Sequence, residues 1–135
     1  MLDGITGIAS QAEAEAGTAT DKLMTPERTS EAIQALVPGG LGDGQTYQDV
    51  TSSRSAGTQY TNSTGKPIFV QIRGSTGGNN LGAIYATVGG VSISIFAADG
   101  SAGTYAAVGN FIVPTGATYS VTFSNCSLAQ WIELR

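Results

Sequence analysis

Gly44-Gln45-Thr46-Tyr47-Gln48-Asp49-Val50-Thr51 is where this chain changes from one kind of sequence pattern to another. Before it lies a segment rich in Ala, Glu and Thr that carries helix signals. After it those signals stop, and short apolar/polar alternations separated by Gly, Asn and Ser run to Arg135. Alternation at period two predicts half-buried strands. The readable ones are Tyr47–Thr51, Gln59–Asn62, Ile68–Arg73, Gly82–Val88, Val91–Ile95, Ala106–Val113, Tyr119–Ser124 and Ser127–Leu134. Gly89-Gly90 between two of them is a two-residue hairpin signal, and Pro114-Thr115-Gly116 marks another turn. In Val91-Ser92-Ile93-Ser94-Ile95 the apolar side chains are expected to face inward and the serines outward. About eight short strands with turns roughly every 8–12 residues predict an antiparallel β-sandwich. The expected organisation is a mainly β protein, with a helical stem over residues 1–43 and a sandwich head over residues 44–135.

The stem carries two helix starts. Ser10-Gln11-Ala12-Glu13 matches a capping box, and the run through Ala16 stops at Gly17, a natural residue for a left-handed helix end. Thr25-Pro26 opens a second helix as N-cap and first helical residue, and Glu27 favours the positive end of the dipole. Arg28 stands where a second capping box would need Glu. Ala32, Ile33, Leu36 and Val37 form a narrow apolar stripe that ends before Pro38-Gly39-Gly40. That stripe is too thin for a monomeric bundle core, and it is expected to pack either on the head or against copies of itself about an axis.

Composition narrows the function. Only 12% of the 135 residues are charged, about half the usual share, so Ser, Thr, Asn, Gln and Gly must cover the surface. Residues 1–43 carry seven acids and two bases, and the remainder three acids and four bases. Neither part has the basic stripe that nucleic acid requires. The chain has no histidine and one cysteine, Cys126. This removes imidazole acid–base chemistry, most zinc sites and any intrachain disulfide. Cys126, set among alternating strand residues, is expected to be a small buried apolar group. No apolar run approaches the ~20 residues needed to span a membrane. The N-terminus shows no basic-then-apolar signal, and its abrupt start fits a beginning inside a longer protein.

Two loops have unusual composition. Gly74-Ser75-Thr76-Gly77-Gly78-Asn79-Asn80 lacks the Lys-Ser/Thr ending and following helix of a phosphate loop. Ala97-Ala98-Asp99-Gly100-Ser101-Ala102-Gly103-Thr104-Tyr105 combines an acid, hydroxyls and an aromatic ring, groups that hydrogen-bond to and stack on a saccharide. Asn79, Asn80, Asp99, Ser101 and Tyr105 are therefore the candidate contact residues, and Tyr85 is a further stacking candidate. The alternating Asp pattern of a calcium loop is absent, and no metal or cofactor is expected. Asp49, Asp99 and Glu133 are the head's only acids. They are not paired in sequence as a glycosidase's two carboxylates would be, so catalysis is not expected. Trp131, in the closing strand, reads as a core or inter-subunit anchor rather than a sugar platform.

Gln11-Ala12-Glu13-Ala14-Glu15-Ala16-Gly17, Met24-Thr25-Pro26-Glu27-Arg28 and Ala32-Ile33 resemble the linker preceding the tip of tailed-bacteriophage tail fibres. Gly44 to Val50, Tyr60-Thr61-Asn62, Gly65-Lys66-Pro67-Ile68 and the ending Trp131-Ile132-Glu133-Leu134-Arg135 are similar to the C-terminal domain of such fibres. The related fibres of phage-tail-like bacteriocins share this likeness, which covers nearly the whole chain. The resemblance implies a homotrimeric receptor-binding tip at the distal end of a virion's tail fibre, joined to the rest of the fibre and tail. It would adhere to a bacterial-surface polysaccharide, lipopolysaccharide or outer-membrane protein without chemistry, without nucleic acid and without inserting into a membrane. The rival readings are a capsule-degrading depolymerase and a structural end cap that only trimerises a fibre.

Overall fold

The structure, a computed structural model, describes residues 4–37, 39–76, 82–97 and 106–135. The chain divides into two compact units, Met1–Pro38 and Gly39–Arg135. It is mainly β, and the sheets of the second unit are antiparallel throughout.

The first unit contains β1 (Gly7–Ile8), α1 (Gln11–Ala16), β2 (Lys22–Leu23) and α2 (Pro26–Leu36), with β1 and β2 paired in parallel. The capping box forms: the Ser10 hydroxyl accepts from the Glu13 amide, and Glu13 accepts from the Ser10 amide at 2.9 Å. Gly17 ends α1 at φ 64°, where a side chain would be strained. Thr25 caps α2 with Pro26 behind it, and Arg28 pairs with Glu31 one turn on. A six-residue helix does not persist alone in water; here the two helices pack through Ala9, Ala14 and Ala32, all buried. The apolar stripe of α2 is thus used only at Ala32, while Ile33, Leu36 and Val37 are 58–60% exposed. Alanines allow the close approach, and the larger side chains project past it.

The second unit holds β3 (Tyr47–Asp49), a single 3₁₀ turn (Thr51–Ser53), β4 (Tyr60–Thr61), β5 (Ile68–Ser75), β6 (Ala83–Val88), β7 (Val91–Ala97), β8 (Ala106–Val113), β9 (Thr118–Ser124) and β10 (Ser127–Leu134). These form two four-stranded sheets, ordered β3-β10-β5-β8 and β4-β9-β6-β7. One core joins them: Ile68, Val70 and Ile72 of β5, Ile84 and Ala86 of β6, Phe111 and Val113 of β8, Tyr119 and Val121 of β9, and Trp131 of β10. The period-two positions of each strand supply these residues, as the alternation predicts. Gly89 and Gly90 both have positive φ (56° and 85°), the requirement of the tight hairpin turn between β6 and β7. Trp131 is fully buried, in agreement with its reading as an anchor.

Two sequence expectations need correction. The apolar residues of β7 share an inner face, yet Val91 and Ile93 are 65% and 39% exposed. β7 is an edge strand, and among the described residues nothing covers that end of it. Only Ile95 and Phe96 reach the core. Alternation shows which side chains share a face, and coverage of that face depends on the opposing sheet. Cys126 is half-buried rather than buried. Its thiol donates to the Ala83 carbonyl at 3.3 Å, and desolvation raises its pKa.

Candidate functional site

Asn79, Asn80, Asp99, Ser101 and Tyr105 all lie outside the described residues. The structure instead brings together two arrangements that the sequence does not display, one inside the core and one on a sheet surface.

The internal arrangement centres on Glu133, whose side chain is completely buried. Its Oε1 accepts from Arg54 Nε at 2.9 Å, the Tyr119 hydroxyl at 2.7 Å and the Trp131 indole at 3.0 Å. Its Oε2 accepts from Arg54 Nη2 at 3.1 Å and Arg135 Nη1 at 2.8 Å. The Arg54 guanidinium also lies 4.5 Å from the centre of the Tyr60 ring, a cation–π contact. Burial alone pushes the Glu133 carboxyl up. The hydrogen bonds from Arg54 and Tyr119, with the charges of Arg54 and Arg135, outweigh it and hold the pKa below its ordinary range. Burial and the Glu133 carboxylate together push the Tyr119 phenol up to about 12. A carboxylate with five donors and no solvent access neither protonates a leaving group nor attacks an anomeric carbon. Glu133 is a fully satisfied polar centre that fixes the fold. Asp49 is likewise engaged locally, accepting from Thr51 and Gln130. Among the described residues no group of three or more His, Cys, Asp or Glu converges as a metal site.

The surface arrangement is the outer face of the β4-β9-β6-β7 sheet. Strand register places Thr122, Tyr85 and Ser94 in one row, and Ser120, Thr87 and Ser92 in the next. Ser124, Ala83 and Ala97 form a third row, and Thr118 pairs with Thr61 at the β4 edge. Every outward residue of β6, β7 and β9 is therefore Ser, Thr, Tyr or Ala, and none is charged. Rows follow one another at about 7 Å and neighbours within a row stand about 4.8 Å apart. None of these hydroxyls hydrogen-bonds to another described side chain, which leaves their donors and acceptors to whatever lies on the sheet. Tyr85 is 39% exposed in the middle of its row. At the hairpin end, Gln59, Thr87, Gly90, Thr118, Tyr119 and Ser120 line a shallow depression of about 70 Å³. That space holds about two water molecules or one substituent of a larger ligand whose remainder rests on the face. The chemistry on offer is a flat set of neutral donors and acceptors around one aromatic ring.

The serines and threonines at alternate positions of Tyr119–Ser124 and Val91–Ile95 are visible in the sequence. What brings them onto one surface is the pairing of both strands with β6. No protein-family model, curated protein or solved structure matches this chain.

Proposed function

We propose that this chain is the receptor-binding tip of a tailed-bacteriophage tail fibre, or of the related fibre of a phage-tail-like bacteriocin. In this reading its second unit is an antiparallel β-sandwich head. It acts as a homotrimer that adheres without catalysis to a bacterial-surface glycan. The observation that carries the ligand class is the uncharged outer face of β9, β6 and β7, with hydroxyls at nearly every position around Tyr85. Such a face matches the spaced hydroxyls of a neutral saccharide and offers an aromatic ring for its apolar side. An anionic ligand would find no cation there. The saturated, inaccessible Glu133 weighs against the depolymerase reading, because it leaves that carboxylate without a chemical role. Three identical faces on one rigid particle would raise a weak single-site affinity by avidity.

Adsorption of the whole chain to host cells tests this. Tyr85→Ala combined with Thr122→Val is expected to lower adsorption at least tenfold with an unchanged melting curve. Asp99→Ala with Tyr105→Ala tests the loop positions separately. Undiminished adsorption by both folded double variants would overturn the reading. Shortening of the host polysaccharide by the native protein would replace adhesion with cleavage.

A further inference from the structure

The outer face of the other sheet has the opposite character. Register aligns Tyr47, Leu134, Phe69 and Ile112 in one row across β3, β10, β5 and β8. All four are apolar, and exposure is greatest at the two ends, 69% for Tyr47 and 53% for Ile112. The next level runs Asp49, Ile132, Gln71, Asn110, with an acceptor at one edge and an amide donor at the other. Arg73 follows on the same face beside Gln130 and Val108.

The edges add an independent argument. β8 has eight residues, no charge, no proline and unbroken pairing with β5, and among the described residues nothing pairs with its outer side. Exposed edges of this kind are usually blunted by a charge, a bulge or a cover, because they recruit further strands. On β7, which packs next to β8, Val91 and Ile93 are also uncovered. Direction matters too. Four strands in strict antiparallel order leave β3 and β8 running oppositely. A copy generated by rotation about an axis along the strands therefore presents its β3 antiparallel to β8. The two ends of the apolar row then meet at one level.

We infer that copies of this chain join head to tail, the β8 edge of one against the β3 edge of the next. Ile112 abuts Tyr47, and the row Tyr47–Leu134–Phe69–Ile112 turns toward the symmetry axis. This rests on the trimeric reading above and names the surface that builds it. The contact is heterologous and closes into a ring. Asp49 and Arg73, on the same inward face, supply equal numbers of opposite charges near the axis. The hydroxyl face of the other sheet is left pointing outward.

The test uses the full chain carrying Cys126→Ser. With both Tyr47→Cys and Ile112→Cys present, a short bismaleimide is expected to link chains covalently, with a ladder ending at three. Either substitution alone is expected to leave single chains. Ile112→Lys, at an exposed position, is expected to reduce the particle mass to one chain by light scattering, with an unchanged circular dichroism spectrum. Linked pairs from a single-cysteine variant would overturn the head-to-tail geometry. Trimers by light scattering that fail to link would place the interface elsewhere and leave the trimer standing. Single chains in the unsubstituted protein would remove the trimer itself.

Discussion

Glu133 shows what a single residue contributes here and why it escapes a reading of the sequence. Its main partner, Arg54, lies 79 positions away, and nothing local in either segment marks them as a pair. Their meeting depends on the turn Thr51–Ser53 delivering Arg54 beneath the end of β10. Replacing Glu133 with Gln keeps the shape and removes the charge that Arg54 and Arg135 share. Losing one partner of a buried pair is costly, so Glu133→Gln is expected to lower head stability by about 2–3 kcal/mol in urea unfolding. Tyr119→Phe removes one of five donors and is expected to cost about 1 kcal/mol. The pH dependence has a definite sign. The folded carboxyl titrates below its ordinary value of 4.5. Its contribution is therefore complete above that pH and is lost as pH falls through the folded value. The urea midpoint of the native protein should drop below pH 4.5, and that of Glu133→Gln should drop less over the same interval.

At the level of elements, the strands described in the second unit were legible because period-two alternation and glycine turns are local signals. So were both helix caps. Coverage was not legible, as Val91 and Ile93 show: it depends on how far the opposing sheet extends. Two glycines separate these influences. At Gly109 an added Cβ would stand 2.7 Å from Ile95 Cγ1 and 2.9 Å from the Ile95 carbonyl oxygen. Ile95 occupies the irregularity in the β6–β7 pairing, and β8 must pass directly beneath it. Gly109→Ala is expected to destabilise the head by about 1–3 kcal/mol, seen as a lower urea midpoint. Gly89, by contrast, has open space around its Cβ direction and φ 56°. Asn is the side chain that best tolerates this turn position. Gly89→Asn is expected to raise stability by about 0.5 kcal/mol through the unfolded chain, seen as a small rise in melting temperature.

For the whole molecule, the two sheets of the second unit differ in their outer faces: one carries an apolar row and the other is dressed in hydroxyls. If the second face binds a receptor as proposed, its lack of charge predicts binding insensitive to ionic strength. Raising salt from about 0.05 to about 0.5 M is expected to change adsorption less than twofold, because no ion pair is there to be screened. A steep fall would point to a charged receptor site elsewhere. The loop positions favoured by composition lie outside the described residues, whereas the hydroxyl face is assembled by strand register, which the sequence does not display. Trp131 leaves a practical legacy. It is the sole indole in the chain, sealed from water with its N–H on Glu133. Its emission should therefore stay unchanged when a candidate glycan is titrated against the proposed face and shift to the red only when the interior opens, so one fluorimeter trace distinguishes a binding defect from a folding defect.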